Sequence, residues 1–201
     1  KLDAAYDHFG IDPSGLTVLD AGSSTGGFTD CSLQRGASRV IAVDVGTHQL
    51  HEKLRADPRV DVREKTDVRR IDPEVLGGPV DLVVGDLSFI SLALVLPALI
   101  GVSHIDGPML LLIKPQFEAG RREAARGRGI ITDPAIHERV IDEVRAAALS
   151  HGAVMVDRMT SPITGNAGNV EFVGYFLANV SAPSQESRTM EPGTIEPEGQ
   201  A

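Results

Sequence analysis

The sequence predicts an α/β fold: a mostly parallel sheet of seven strands that ends in an antiparallel hairpin, with helices on both faces. Short apolar runs alternate with helix-length segments along the chain, which is typical of a parallel sheet with helical crossovers. The runs end in polar residues or glycine, as strands buried on both faces do. The last two runs have no helix between them, so one of their strands should be antiparallel.

Five strand-like runs account for the predicted parallel part of the sheet. They cover residues 16–20, 39–44, 60–63, 80–86 and 109–113. The helix-length segments between and after them lie at about 27–35, 47–56, 73–77, 90–100 and 134–151. Asp133 followed by Pro134 marks the start of the last helix, since proline is favoured in a first turn.

The predicted hairpin uses the runs at 154–159 and 169–177, which the turn-rich segment 161–168 separates. A mostly parallel sheet that closes on such a hairpin is the architecture of the Rossmann-like methyltransferase fold. We therefore predict one such domain over residues 1–180. Residues 181–201 are rich in Pro, Glu, Ser, Gly and Thr, and this composition predicts a disordered tail.

The composition is that of an ordinary globular protein and excludes several kinds of site. Of the 201 residues, 42% are apolar and 23% are charged. Cys31 is the only cysteine, which excludes a disulfide within the chain and a multi-cysteine metal site, and fits a reducing cytoplasm. The most apolar stretch, 89–102, is shorter than the ~20 residues of a membrane span and contains Pro97, so no membrane partner is expected. The chain starts at Lys1 within amphipathic sequence, and we expect it to be a fragment.

The charge is unevenly distributed. A net charge of −9 argues against a protein that binds nucleic acid non-specifically. Residues 53–70 nevertheless contain seven basic and four acidic residues, and a second basic segment holds Arg121, Arg122, Arg126 and Arg128. A solvated surface is the ordinary explanation for any single one of these charges.

A glycine-rich turn follows the first predicted strand and precedes a predicted helix, in Val-Leu-Asp-Ala-Gly-Ser-Ser-Thr-Gly-Gly-Phe-Thr at 18–29. A parallel sheet opens its ligand crevice here, and Gly22, Gly26 and Gly27 let the backbone approach a ligand closely. The spacing differs from that of a dinucleotide-binding loop, and the lysine of a phosphate loop is missing. Asp20 suits the ammonium group of a methionine moiety better than it suits a pyrophosphate.

Acidic residues follow the next two strands. Asp44 closes the second strand, where a carboxylate can accept hydrogen bonds from both ribose hydroxyls of an adenosine. Asp67 follows the third strand and can contact the adenine amino group, although a carboxylate there often caps the next helix. The pattern indicates S-adenosylmethionine as cofactor. The expected cofactor-binding residues are Asp20, Gly22, Ser24, Gly26, Gly27, Phe28, Asp44 and Asp67.

Charged residues also stand at the ends of later strands. Asp86 ends the fourth strand, and Lys114 ends the fifth after four apolar residues, an unusual place for a surface lysine. Glu171 lies near the start of the last strand, which the antiparallel direction brings to the same, ligand-binding edge of the sheet. Lys1 precedes a helix that can cover this edge.

In these segments the sequence resembles the TlyA hemolysin-like rRNA methyltransferases, within the wider FtsJ-like group of RNA 2′-O-methyltransferases. The resemblance covers roughly residues 1–180 and is most specific at 19–29, 86–91, 114–118 and 168–171. It implies a catalytic Lys-Asp-Lys-Glu tetrad at Lys1, Asp86, Lys114 and Glu171. It also implies RNA as a partner, as ribosomal RNA or ribosomal subunits. Members usually carry a small N-terminal RNA-binding domain, which we expect to be absent from this chain.

The implied chemistry suits these residue types. The cofactor carries an activated methyl group on a sulfonium, and the enzyme must place a ribose hydroxyl in line behind it. Lys114 would accept the hydroxyl proton or stabilise the developing alkoxide as a cation. Asp86 and Glu171 would orient the lysines, and Lys1 would hold the hydroxyl or a neighbouring phosphate. No metal is expected, because the sulfonium leaves as a neutral thioether.

Three other functions remain open at this point. A methyltransferase could instead act on a base or on a protein. One that acts on a base amine typically uses an Asn/Asp-Pro-Pro-aromatic clamp, whereas residues 86–89 read Asp-Leu-Ser-Phe. A hemolysin-like protein could bind the cofactor and act by a non-enzymatic route, although no amphipathic pore-forming segment is evident. A nicotinamide-binding domain is disfavoured by the glycine spacing.

Overall fold

The computed structural model describes residues 1–120, 123, 127–165 and 168–179, so the predicted tail at 181–201 lies outside it. The strands are β1 (Thr17–Ala21), β2 (Arg39–Val43), β3 (Val60–Arg63), β4 (Leu82–Gly85), β5 (Gly107–Ile113), β6 (Val154–Thr160) and β7 (Phe172–Ala178). The helices are α1 (Leu2–Phe9), α2 (Gly27–Gln34), α3 (Glu52–Arg55), α4 (Pro73–Leu76), α5 (Leu96–Val102), α6 (Pro115–Glu118) and α7 (Pro134–Ser150).

Within these residues the strands form one sheet in the order β3-β2-β1-β4-β5-β7-β6. The pairs β1–β2, β2–β3, β1–β4 and β4–β5 are parallel. Strand β7 is antiparallel to both of its neighbours, β5 and β6. The predicted mostly parallel sheet with an antiparallel end is thus confirmed. Because the chain runs from β1 out to β3 and returns to β4 on the other side of β1, the carboxyl ends of β1 and β4 flank a ligand crevice.

Helices cover both faces of the sheet, as predicted. Successive side chains of a strand point to opposite faces, so neighbouring residues of β1 enter different layers. Val18 packs in an apolar cluster with residues of α1 and α2, and Leu19 packs in a second cluster with residues of α4, α5 and α7. Both side chains are fully buried. The sheet is therefore a rigid central layer that fixes the positions of the loops at its edges.

The predicted helix at 47–56 is much shorter in the structure, where only α3 is helical. The residues before α3 are held by contacts to distant parts of the chain. The His48 N–H donates to Glu64 Oε1 at 2.7 Å, and the His51 N–H donates to the Thr25 carbonyl at 3.2 Å. These tertiary hydrogen bonds compete with helical ones, and His48 adopts a left-handed conformation at φ 56°.

The predicted helix at 90–100 is divided into a 3-10 turn, Leu92–Leu94, and helix α5. Glu118 stabilises the start of the turn by accepting hydrogen bonds from the Leu92 N–H at 2.9 Å and the Ser91 hydroxyl at 2.6 Å. Burial raises the pKa of Glu118. This carboxyl group ties the loop after β4 to helix α6, and thus connects the two loops that follow Asp86 and Lys114.

Candidate active site

Asp20 lies near the carboxyl end of β1, beneath the glycine-rich turn, and is completely buried. Its Oδ2 accepts a hydrogen bond from the Thr29 hydroxyl at 2.6 Å. Its Oδ1 is buried without a hydrogen-bond partner among the described residues. Burial raises the pKa of Asp20 to about 7, against the opposing effect of the Thr29 hydrogen bonds. A buried oxygen that accepts no hydrogen bond destabilises the folded state. This oxygen is therefore suited to accept a hydrogen bond from a ligand.

The glycines of the turn differ in what they do. A side chain on Gly22 would lie 3.0 Å from the Asp86 carbonyl oxygen, so glycine allows the turn to approach the loop after β4 closely. A side chain on Gly27 would meet nothing within 4 Å, in keeping with its place on the cavity wall. A side chain on Gly26 would collide with Leu54 at 2.2 Å. Gly26 has φ 100°, in the left-handed region that favours glycine, and its lack of a side chain leaves room for Leu54 of α3.

Asp44 and Asp67 are engaged with the protein itself. Asp44 accepts hydrogen bonds from the Ser24 N–H at 2.8 Å and the Gly46 N–H at 2.7 Å. It thus connects the end of β2 to the turn after β1. Asp67 caps the next 3-10 turn and forms an ion pair with Arg69 at 2.6 Å, and hydrogen bonds from this arginine lower its pKa to about 2. Asp67 fits the ordinary capping role, and its contact with adenine stays a prediction.

Lys114 immediately follows β5 and precedes α6, and its side chain is only 8% exposed. Its ammonium group forms an ion pair with Asp86 and donates a hydrogen bond to the Ser88 hydroxyl at 2.9 Å. It also lies 5.9 Å from the centre of the Phe117 ring. The loop after β4 therefore supplies a carboxylate, Asp86, and a hydroxyl, Ser88, that together fix the direction of the Lys114 side chain.

Lys1 and Glu171 form a second lysine–carboxylate pair, with Nζ and Oε2 2.5 Å apart. Lys1 is the N-terminal capping residue of α1, and Glu171 immediately precedes β7. The other oxygen of Glu171 accepts a hydrogen bond from the Gln116 side chain at 3.2 Å. Glu171 is 3% exposed. Lys1, which caps α1, holds one of its oxygens, and Gln116 of α6 holds the other.

A cavity of about 560 Å³ joins these parts at the carboxyl edge of the sheet. Its volume is within the range of sites for small ligands and cofactors. All four residues of the predicted tetrad line it, together with four of the eight predicted cofactor residues: Gly22, Ser24, Gly27 and Phe28. Asp20, Gly26, Asp44 and Asp67 lie outside its lining.

The cavity has an aromatic pair on its wall. Phe89 and Phe117 both line it, with ring centroids 5.0 Å apart and tilted by 51°. Phe89 is 91% exposed and has a left-handed backbone at φ 64°. An exposed phenylalanine in such a conformation is unusual, and its free face can stack on a planar ligand group.

Helix α1 is fastened to the rest of the domain by an arginine on α2's C-terminal end. Arg35 forms ion pairs with Asp3 at 2.5 Å and Asp7 at 2.7 Å. Below it, Tyr6 is buried and its hydroxyl is 2.9 Å from the Ser32 hydroxyl. These contacts keep α1 on the sheet, which places Lys1 opposite Glu171.

Sequence reasoning missed several residues of this site. Ser88 and Gln116 each stand two positions after a tetrad residue, in loops that follow parallel strands. That position could have drawn attention to them, since such loops line the crevice. Phe117 and Ile163 also line the cavity, and Ile163 comes from the turn before β7, which carried no chemical signal.

The predicted arginine cluster is mostly beyond what the structure describes. Arg121, Arg122 and Arg126 lie outside the described residues, and Arg128 adopts a left-handed conformation at φ 51°.

No group of three or more His, Cys, Asp or Glu side chains in the described part of the chain is arranged to hold a metal ion. Among the described helices, none combines the length and apolar character that a membrane crossing requires.

Comparisons with known proteins find relatives that are named as rRNA methyltransferases and hemolysins. A Mycobacterium tuberculosis protein named 16S/23S rRNA (cytidine-2′-O)-methyltransferase TlyA is 49% identical over 177 residues, which cover 88% of this chain and 65% of the relative. The chain thus spans about two thirds of that protein's length. Hemolysin A of Brachyspira hyodysenteriae is 39% identical, over 88% of this chain and 74% of its own length.

Solved structures show the same fold. A hemolysin-like protein from Streptococcus thermophilus superimposes with a TM-score of 0.85 and 40% identity, over 92% of this chain and 68% of the other. An S-adenosylhomocysteine-bound N1-methyltransferase from Burkholderia thailandensis has a TM-score of 0.59 at 18% identity, over 88% and 76% of the two chains. The family model for FtsJ-like methyltransferases matches residues 1–176. The chain therefore belongs to the FtsJ-like methyltransferase family.

Proposed function

We propose that this domain transfers a methyl group from S-adenosylmethionine to a ribose 2′-hydroxyl of ribosomal RNA, in the cytoplasm. The observation that carries the proposal is the convergence of two lysine–carboxylate pairs, Lys114–Asp86 and Lys1–Glu171, on a cavity that the glycine-rich turn also lines. The name of the M. tuberculosis relative supports the substrate, since it specifies cytidine 2′-O-methylation of 16S and 23S rRNA.

The residues around the turn fit the cofactor. Asp20 offers a buried oxygen without a partner, and Gly27 leaves the adjacent wall of the cavity without a side chain. Asp44 contacts the turn through Oδ2 and the loop after β2 through Oδ1, and both oxygens retain lone pairs for the ribose hydroxyls. When bound, the cofactor supplies an electrophilic methyl group on a sulfonium.

The chain's own residues hold and activate the nucleophile. Asp86 and Ser88 fix the direction of the Lys114 amine, which faces the cavity. Lys114 takes the hydroxyl proton as a neutral amine, or stabilises the negative charge on the oxygen as a cation. Lys1, fixed by Glu171, holds the hydroxyl or an adjacent phosphate. The aromatic pair Phe89–Phe117 gives the target nucleobase a surface on which to stack.

The deciding experiment maps 2′-O-methylation. Ribosomal subunits from a strain that lacks the gene are incubated with S-adenosylmethionine and the protein in its natural full-length form. We expect a new 2′-O-methyl mark on ribosomal RNA, detected as a stop in primer extension at low nucleotide concentration. Methylation of a base instead, or methyl transfer to ribosomal protein only, would contradict the proposal.

The arginines at 121–128 are expected to contact RNA phosphates, because they follow Lys114 in the sequence and Lys114 lines the cavity. Replacing Arg121, Arg122, Arg126 and Arg128 together by Gln should weaken RNA binding and flatten its salt dependence. Each lost phosphate contact should reduce the slope of log affinity against log salt by roughly 0.7–0.9. The control is Arg145→Gln on α7, whose side chain pairs with Asp142. An identical slope in wild type and quadruple variant would show that these arginines are bystanders.

Asp20 should make both stability and cofactor binding depend on pH. Because burial raises its pKa from 3.8 to about 7 in the folded chain, the folded state binds the extra proton between these values. Protonated Asp20 therefore adds to the free energy of unfolding below pH ~4, and this contribution is lost as the pH rises to ~7. A cofactor ammonium beside Asp20 favours the ionised carboxylate, so affinity should increase from pH ~5.5 to ~8.5, two values that lie on either side of this titration.

Isothermal titration calorimetry with S-adenosylmethionine at several pH values measures this effect. The Asp20→Asn variant removes the titrating group and should lose the part of the pH dependence that Asp20 contributes, both of cofactor affinity and of the free energy of unfolding. A wild-type affinity that is constant between these pH values would exclude Asp20 as the partner of the ammonium group.

A further inference from the structure

We propose that Gly165 and Gln116 are positioning residues that hold the Glu171 carboxylate in the orientation that engages Lys1. The inference rests on the proposed function, because it assigns a purpose to this orientation. It concerns the turn between β6 and β7, which contributes Ile163 and Gly165 to the cavity wall.

The backbone of Gly165 lies directly against the Glu171 side chain. A Cβ atom on Gly165 would be 2.1 Å from Glu171 Oε1 and 2.6 Å from its Cδ, far inside any real contact distance. The φ angle of Gly165 lies outside the left-handed region, so an alanine would fit its backbone. The requirement for glycine here therefore comes from the neighbouring carboxylate and not from the shape of the turn.

The same carboxylate oxygen has a hydrogen-bond donor on its other side. Gln116 Nε2 donates to Glu171 Oε1 at 3.2 Å, while Lys1 Nζ lies 2.5 Å from Oε2. Oε1 is thus confined between the backbone of Gly165 and the Gln116 amide. With Oε1 held, the remaining oxygen points at the ammonium group of Lys1.

The turn itself is anchored, so it can act as a fixed wall. The Gly165 N–H donates to the Asn169 carbonyl at 2.8 Å, and the Gly168 N–H donates to the Gly165 carbonyl at 3.1 Å. The Ser161 N–H donates to the carbonyl of Glu171 at 2.8 Å. Gly165 therefore cannot withdraw easily from an added methyl group, and the Glu171 side chain would have to move instead.

The test is Gly165→Ala in the natural full-length protein. Displacing a catalytic group by about 1 Å can cost up to ~100-fold in rate, so we expect kcat for methyl transfer to fall by roughly 10- to 100-fold. The KM for S-adenosylmethionine should stay the same, since the turn after β1 is untouched. The matched control is Gly101→Ala in α5, an exposed glycine whose added methyl group meets nothing within 4 Å.

A double-mutant cycle separates positioning from a general structural effect. In a Glu171→Ala background the added methyl group has no carboxylate to displace, so Gly165→Ala should cause no further loss of kcat. Gln116→Met removes the hydrogen bond that Gln116 donates to Glu171 Oε1, with little change in side-chain volume. It should lower kcat where Glu171 is present and cause no further loss in the Glu171→Ala protein. This second variant tests the inference even where Gly165→Ala fails to fold.

A second readout is independent of activity. Lys1→Met should lower the melting temperature of the wild-type protein, because it leaves the buried Glu171 carboxylate without its partner. The decrease should be much smaller in the Gly165→Ala protein, where the pair is already separated. The same decrease in both proteins, or equal losses of kcat with and without Glu171, would overturn the inference. A wild-type protein that methylates no ribosomal RNA would contradict the proposed function while leaving this melting test intact.

Discussion

Replacing Lys114 by Ala is expected to abolish methyl transfer while S-adenosylmethionine binding remains nearly intact. Lys114 stands at the end of β5, where Asp86 and Ser88 direct its amine, whereas the glycine-rich turn lies after β1. Loss of a positioned proton-transfer group typically lowers a rate by ~10²–10⁴-fold. Single-turnover transfer from a radiolabelled methyl donor to ribosomal subunits measures the rate, and calorimetry measures cofactor affinity.

Lys114→Arg distinguishes a chemical role from an anchoring role. Arginine keeps the positive charge for Asp86 but does not give up its proton and has a different shape. If Lys114 only anchored the strand end, this variant would retain most of the activity. Near-normal turnover with an unchanged melting temperature would therefore reject Lys114 as a proton acceptor. Loss of transfer with normal cofactor binding would support the 2′-hydroxyl mechanism.

Replacing Asp44 by Ala should weaken S-adenosylmethionine binding by about 1.5–3 kcal/mol, because it removes a charge-assisted pair of hydrogen bonds. This corresponds to roughly a 10- to 150-fold increase in Kd. Asp44 also holds the backbone N–H groups of Ser24 and Gly46, so the variant loosens the turn as well as removing the ribose contact. Calorimetric titration of the folded variant provides the measurement.

Two further variants sharpen this test. Asp44→Asn removes the charge but keeps one of the two oxygens that accept hydrogen bonds from the backbone N–H groups. It should therefore weaken S-adenosylmethionine binding less than Asp44→Ala does. Asp72→Ala removes a comparable aspartate that caps α4 by accepting from the Val75 N–H at 2.8 Å, and it should leave cofactor affinity unchanged. Equal affinity of wild type and folded Asp44→Ala would exclude Asp44 from the cofactor site.

The parallel part of the sheet could be predicted from sequence because β1, β2, β4 and β5 are short apolar runs, while β3 alternates valine with charged residues. The run at 60–63 coincides with β3, and the strand at 39–44 differs from β2 by one residue. Asp86 and Lys114 stand at the carboxyl ends of such runs, and this position predicts that they face the ligand-binding edge of the sheet. The tetrad of Lys1, Asp86, Lys114 and Glu171 came instead from the resemblance to a known family, and its catalytic role stays a prediction.

Features that depend on contacts between distant residues were not predictable in this way. Helix α3 is short because the preceding loop hydrogen-bonds to Glu64 and to the Thr25 carbonyl. Gly26 has a second reason to lack a side chain, since an added Cβ atom would meet Leu54 of α3, while its place in the cofactor site stays a prediction. Gly165 stood in an unremarkable turn, and only its distance to Glu171 reveals a purpose.

The place of β7 in the sheet has a consequence for how the protein matures. Strand β7 is the last strand of the described chain, but it lies between β5 and β6. Until β7 has been synthesised, β5 keeps an unpaired edge of almost entirely buried, apolar residues, which is open to intermolecular pairing. The pairing of Lys1 with Glu171 must also wait, since 170 positions separate them in the chain.

Such distant pairing makes folding dependent on slow, non-local contacts. The pairing of β1 with β4 and the glycine-rich turn involve residues that all precede β7 in the chain. The Lys1–Glu171 pair cannot form until the segment before β7 is in place, because Glu171 immediately precedes that strand. A molecule in which β7 has not paired is therefore expected to lack this pair even where the glycine-rich turn has formed. Chaperone dependence and aggregation during expression are then expected to follow the rate at which β7 inserts.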